Sequence, residues 1–168
     1  MDFKKCPYEH TLFVKTGENG KMLILCLYVD DLIFTENSSV MFDEFKKCVI
    51  IELKMIDLGK MHYFLGLEVV QSDEGIFVSQ KKYVREILNR FEMQNCNPAN
   101  ILVELGLKLN KAWSGKKVDN MVYKQIIGSL MYLSTKRPDI MYVISLINRY
   151  MEYPTEMHLL AAKRILRY

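Results

Sequence analysis

Apolar positions recur at two different periods along this chain. Up to about residue 80 they come in short runs and alternations of β-prone residues. Residues 11–15 and 22–29 are two such runs, and Gly17-Glu18-Asn19-Gly20 between them has the composition of a hairpin loop. Another short run, Leu32-Ile33-Phe34-Thr35, follows Asp30-Asp31, so three antiparallel strands are the simplest arrangement. Ser38 or Ser39 can cap a helix in which Met41 or Phe42, Phe45, and Cys48 or Val49 recur at helical spacing, with Asp43 and Lys47 as an i,i+4 pair. That helix is expected to cover one face of the sheet. Residues 61–71 read as one long strand, Asp73-Glu74-Gly75 as a turn, and residues 76–79 as the return.

From Gln80 the period becomes helical. Tyr83, Val84, Ile87, Leu88 and Phe91 form one stripe, with Lys82, Arg85 and Asn89 along a polar face, and residues 95–98 are expected to end the helix. Residues 99–118 lack periodicity and carry Gly106, Gly115 and several lysines, which predicts a long flexible connection. Asp119 or Asn120 can then cap a helix whose buried stripe is Tyr123, Ile126, Ile127, Leu130, Met131 and Leu133, with Gly128-Ser129 admitting a close neighbour. Pro138 suits the first turn of a helix bearing Ile140, Val143, Ile144, Ile147 and Met151, and Thr155 can cap a last helix running to Tyr168. The fold class expected is α+β, dividing near Gln80 into residues 1–79 and 80–168.

Composition agrees with a folded chain: of 168 residues half are apolar and about a quarter charged. The longest apolar run, residues 22–29, is far too short to cross a bilayer, and no basic-then-apolar leader opens the chain. A soluble intracellular protein with no membrane partner is expected. Cys6, Cys26, Cys48 and Cys96 are widely spaced, which favours reduced thiols over a disulfide framework. Cys6 and His10 lack the second ligand pair that zinc needs.

Charge is divided unevenly. Residues 1–80 hold 8 Lys and 13 acids, a balance of −5, and residues 81–168 hold 15 Lys or Arg and 7 acids, a balance of +8. The acidic half suits metal ions; the basic half suits phosphate, although lysines also decorate any solvated helix.

The sharpest local signal is Tyr28-Val29-Asp30-Asp31, where two acids stand between apolar runs. Buried carboxylates are costly unless a cation compensates them, and at a tight hairpin tip two of them can crowd one site that a divalent ion would relieve. Asp is also an ordinary turn residue, so both readings stay open at this level.

The same segment resembles the metal-binding turn of retroelement reverse transcriptases, and the surrounding text resembles the copia group. The matching stretches are Lys5-Cys6-Pro7-Tyr8-Glu9-His10-Thr11-Leu12, Asp57-Leu58-Gly59, His62-Tyr63-Phe64-Leu65-Gly66-Leu67-Glu68-Val69, Gly75-Ile76-Phe77-Val78-Ser79-Gln80-Lys81-Lys82-Tyr83, Gly128-Ser129-Leu130-Met131-Tyr132-Leu133, Arg137-Pro138-Asp139-Ile140 and Ala161-Ala162-Lys163-Arg164, in the family's order over almost the whole chain.

The resemblance implies a partial polymerase palm over residues 1–79 and a helical thumb and connection over residues 80–168. By it, Asp30 and Asp31 are paired catalytic metal ligands, for magnesium with manganese as the alternative, and Tyr28 and Val29 pack beside the primer end. The hairpin of residues 63–79 occupies the place of the primer grip, with Gly66 allowing close backbone approach. Lys81, Lys82 and Arg85 begin the thumb and touch the template-primer backbone. Lys136 and Arg137 are further cations, Arg137 having Asp139 as an equally good local partner. The implied substrates are primer-template nucleic acid and deoxynucleoside triphosphates, and the implied setting is cytoplasm or a virus-like particle.

The family also requires a third carboxylate and a fingers region, and neither matches anything here, nor does the RNase H domain. An isolated segment of this kind is expected to be inactive, leaving a non-catalytic nucleic-acid-binding module or a retroelement relic as alternatives. Glu36 stands where the family usually has glycine, and residues 101–105 lack its Thr-Pro and Pro-Gly pattern.

Overall fold

The computed structural model describes residues 2–104, 106, 107, 109 and 115–168. The chain is α+β and divides into two compact units, Met1–Met61 and His62–Tyr168. The change of period at Gln80 therefore falls inside the second unit.

The first unit is an antiparallel sheet in the order β1 (Lys4–Lys5), β2 (Leu12–Thr16), β3 (Met22–Tyr28) and β4 (Asp31–Glu36), followed by helix α1 (Ser39–Leu53). Four strands stand where three are expected, because the two charged residues of β1 pair with Phe13 and Val14. Alternation along β3 sends Leu23 and Leu25 to the α1 side, where they meet Phe45 and the flanking Phe13, Leu32, Phe34, Met41 and Val49. Phe3 packs edge-on against Phe45 at 5.6 Å and Phe34 stacks on Phe42 at 4.7 Å. Beyond α1, Asp57 accepts the Gly59 N–H at 2.8 Å and an ion pair from Lys46 at 2.5 Å. Lys46 first, then that N–H, hold the Asp57 carboxyl below the usual carboxylate range.

The second unit opens with a three-stranded antiparallel sheet, β5 (Tyr63–Phe64), β6 (Leu67–Ser72) and β7 (Gly75–Ser79). The single long strand expected over residues 61–71 is instead broken at Leu65-Gly66. Both residues are left-handed, at φ 47° and 81°, and Phe64 pairs with Leu67 across them. Two consecutive positive φ angles are the mark of a type I′ hairpin, which reverses the chain where a strand pattern would continue.

Helix α2 (Lys81–Arg90) ends before residues 95–98, since Glu92 turns left-handed at φ 57°. Asp119 caps α3 (Asn120–Leu133) by accepting the Met121 N–H at 2.8 Å. A 3-10 turn at Pro138–Ile140 leads into α4 (Met141–Asn148), and Thr155 caps α5 (Glu156–Arg167) in a capping box with His158. The stripe Ile126, Ile127, Leu130, Ile144, Ile147, Ala162 and Ile165 makes the shared core of α3, α4 and α5.

Met131, expected in the α3 stripe, is 50% exposed, while Ser129 takes the buried position. Gly128, expected to admit a close neighbour, has open space where a Cβ would stand. The expected flexible connection lies partly outside the described residues; in its described part the Ala99 N–H donates to the Arg167 carbonyl at 2.8 Å and Tyr150 Oη to the Leu109 carbonyl at 2.7 Å.

Candidate metal-binding hairpin and nucleic-acid surface

Tyr28 pairs with Asp31, so Val29 and Asp30 alone make the turn between β3 and β4. Such two-residue turns need positive φ at one or both central positions to match strand twist. Here Val29 takes it, at φ 54°, although a β-branched side chain is a poor occupant of that region. Val29 is 80% exposed, so little burial compensates the conformation.

Tyr28 and Asp31 face the side of the sheet away from Leu23 and Leu25, because residues of opposite parity along β3 line the α1 side. Asp30 and Asp31 are both exposed. Neither carboxylate has an ion-pair partner among the described residues. The chain thus brings Tyr28, Val29, Asp30 and Asp31 to one hairpin tip. Among the described residues no three His, Cys, Asp or Glu side chains come together closely enough to hold a metal ion.

In the second unit Lys81, Lys82 and Arg85 lie exposed at the start of α2. The residue at the cap position, Gln80, makes no side-chain cap bond. Glu68 of β6 caps instead, accepting the Lys82 N–H at 2.8 Å, while the Lys82 ammonium lies 4.6 Å over the Tyr63 ring. Gly66 is approached closely, by Tyr132: a Cβ there would meet the ring at 3.2 Å. Arg137 takes its local alternative, gripping Asp139 through Nε at 2.9 Å and Nη2 at 2.7 Å. That contact lowers the Asp139 carboxyl and raises the Arg137 guanidinium.

Glu68, Tyr63 and Tyr132 were not distinguishable as site-shaping residues from sequence. No local cap signature involves Glu68, and Tyr132 flanks a stripe defined by its neighbours. Among the described residues no helix is long and apolar enough to cross a membrane.

Residues 1–105 match the family model described as reverse transcriptase (RNA-dependent DNA polymerase). An uncharacterized mitochondrial protein of Arabidopsis thaliana is 37% identical over 147 residues, covering 87% of this chain and 60% of that protein. The retrovirus-related Pol polyprotein from transposon RE1 of Arabidopsis thaliana is 35% identical over 169 residues, 100% of this chain and 11% of the polyprotein. The corresponding polyprotein from transposon TNT 1-94 of Nicotiana tabacum is 32% identical over 166 residues, 94% of this chain and 12% of its own length. The chain thus spans three fifths of the first of these relatives and about a tenth of the two polyproteins. No solved structure gives a significant match. The chain belongs to the reverse transcriptase (RNA-dependent DNA polymerase) family, as a fragment of a copia-type retrotransposon reverse transcriptase.

Proposed function

We propose that Asp30 and Asp31 are two of the carboxylates of a polymerase metal site, and that this segment alone does not polymerise. The observation that carries the reading is the β3–β4 tip, where two exposed carboxylates without ion-pair partners among the described residues adjoin a valine at positive φ. Backbone strain of this kind costs about 1–3 kcal/mol and collects at functional sites.

Magnesium, or manganese in its place, commonly takes one or two carboxylates and completes its shell with water and substrate phosphates, so the pair fits as part of a ligand set. Such ions, when bound, stabilise the attacking and leaving oxygens of a phosphoryl displacement. Asp30 and Asp31 hold the ion, while Tyr28 and Val29 border the primer end. The described residues bring no third carboxylate to the pair, which is why activity is not expected from this chain by itself.

Residues 1–79 are read with this as part of a palm, and residues 80–168 as thumb and connection. The hairpin carrying Gly66 lies at the primer end, and Lys81, Lys82 and Arg85 meet the template-primer backbone. Three exposed cations in the first turns of α2 support that role, since two of them stand at the positive end of the helix dipole, a placement that opposes stability. Phosphate contacts of this type position nucleic acid without reading its sequence. In the intact protein, deoxynucleoside triphosphates are the second substrate.

The test uses the full chain. Manganese titration is expected to broaden the amide resonances around Val29, Asp30 and Asp31, and Asp30→Asn with Asp31→Asn is expected to abolish the effect; absence of broadening in the unaltered chain overturns the metal assignment. Primer extension with magnesium is expected to give no product. Incorporation that Asp30→Asn eliminates would overturn the inactivity of the segment.

A further inference from the structure

Two stretches of the chain with no sequence proximity meet at one point. The hairpin tip Leu65-Gly66 lies against Tyr132 of α3, 67 residues away, whose hydroxyl donates to the Leu65 carbonyl. The Tyr132 ring lies close over Gly66: a Cβ there would sit 3.2 Å from one ring carbon and 3.4 Å from the hydroxyl oxygen, so the ring would have to give by a few tenths of an ångström. Glycine is therefore favoured at position 66 by its φ of 81°, and the close ring adds to the cost of a side chain there.

Tyr132 is itself held. Tyr83 of α2 packs edge-on against it with centroids 4.9 Å apart, and Tyr83 Oη donates to the Ser129 carbonyl at 3.3 Å. Buried Gln80, which joins β7 to α2, donates from Nε2 to the Tyr132 carbonyl at 3.3 Å. Glu68 ties the far side of the same hairpin to the start of α2 through the Lys82 N–H. The two-residue β5 pairs with β6 over only two registers, too few to fix a hairpin tip by its own ladder.

We propose that Tyr132 is a positioning residue, a latch that fixes the Leu65–Gly66 tip to the α2–α3 pair so that the hairpin and the cations of α2 present one rigid surface to the primer end. The latch rests on the contacts above; its effect on primer-template rests on the reading of this hairpin under Proposed function. A tip free to swing would lose that register with Lys81 and Lys82 without any contact to nucleic acid being removed.

The experiment compares the full unaltered chain with Tyr132→Phe, which keeps the ring and removes the donor, and with Tyr142→Phe, a control at an exposed tyrosine of α4. Hydrogen exchange is read at the amides of residues 65–67, and affinity is read by fluorescence anisotropy with a labelled primer-template. Tyr132→Phe is expected to speed exchange at the tip about tenfold, the scale of one neutral hydrogen bond, with α3 core amides unchanged. It is also expected to weaken primer-template binding several-fold, and Tyr142→Phe to do neither. Unchanged tip exchange overturns the latch. Faster tip exchange with undiminished affinity overturns its positioning role. An unaltered chain that binds no primer-template at low salt overturns the functional reading of the hairpin and the positioning role with it, while the exchange result still judges the latch.

Discussion

At the scale of single residues, Val29 is the position where local preference and observed conformation disagree most. Valine favours extended backbone, yet here it holds φ 54° with 80% of its surface in solvent. Glycine at that position would relieve the steric cost, against a smaller loss from the freer unfolded chain, so Val29→Gly is expected to stabilise the first unit by about 1 kcal/mol. A rise in the denaturation midpoint with unchanged m-value checks it; a fall would show that the valine side chain contributes packing that outweighs its backbone. The hairpin at Asp30-Asp31 was legible in the sequence, since the pair separates two apolar runs, but its role as a ligand pair comes only from the resemblance. At Arg137 the sequence left two readings open, and the structure shows the local one, with Asp139 two residues away. Tyr132 was not legible. Its partners are a carbonyl and a glycine in another element, and no helical period distinguishes a tyrosine facing a hairpin from one facing a core.

Elements followed the sequence where one periodicity sufficed. The stripe of α3 apart from Met131, the caps at Asp119 and Thr155, and the covering of one sheet face by α1 all come from spacing that a single helix or strand must obey. The β5–β6 turn escaped because Leu65 is an unlikely left-handed residue: a type I′ turn usually shows Asn-Gly or Asp-Gly, and Leu-Gly carries only half that signal. The start of α2 was legible from the change of period at Gln80, but its cap was not, because it comes from Glu68 on β6. That start is also where charge and stability oppose each other. Lys81 lies exposed at the first helical position, against the macrodipole, so Lys81→Gln is expected to raise the denaturation midpoint slightly. The same change is expected to weaken primer-template binding uniformly across sequences and to lower the slope of log affinity against log salt by about one. An unchanged slope with unchanged affinity would mean that this lysine is only a solvated surface charge.

For the whole molecule, the two units differ sharply in how much they bury. The described buried core of the first is Leu23, Leu25 and Phe45, whereas that of the second has fifteen residues drawn from α2 to α5. Ile51, Leu53, Ile56 and Leu58 of the first unit remain exposed, so apolar residues that would deepen its core do not contribute to it. Small cores leave little surplus over conformational entropy, and regions with few buried apolar contacts open at low free energy. The chain is therefore expected to unfold in two steps, the sheet and α1 first. Leu23→Ala should displace the first transition alone and Ile126→Ala the second alone, each by about 2–5 kcal/mol, since both side chains are fully buried. Denaturant titration followed by residue-resolved exchange distinguishes the steps. One cooperative transition moved by both substitutions would show that the two compact units fold as a single thermodynamic body, and the strained Asp30-Asp31 tip would then draw on the stability of the helical core rather than on its own sheet.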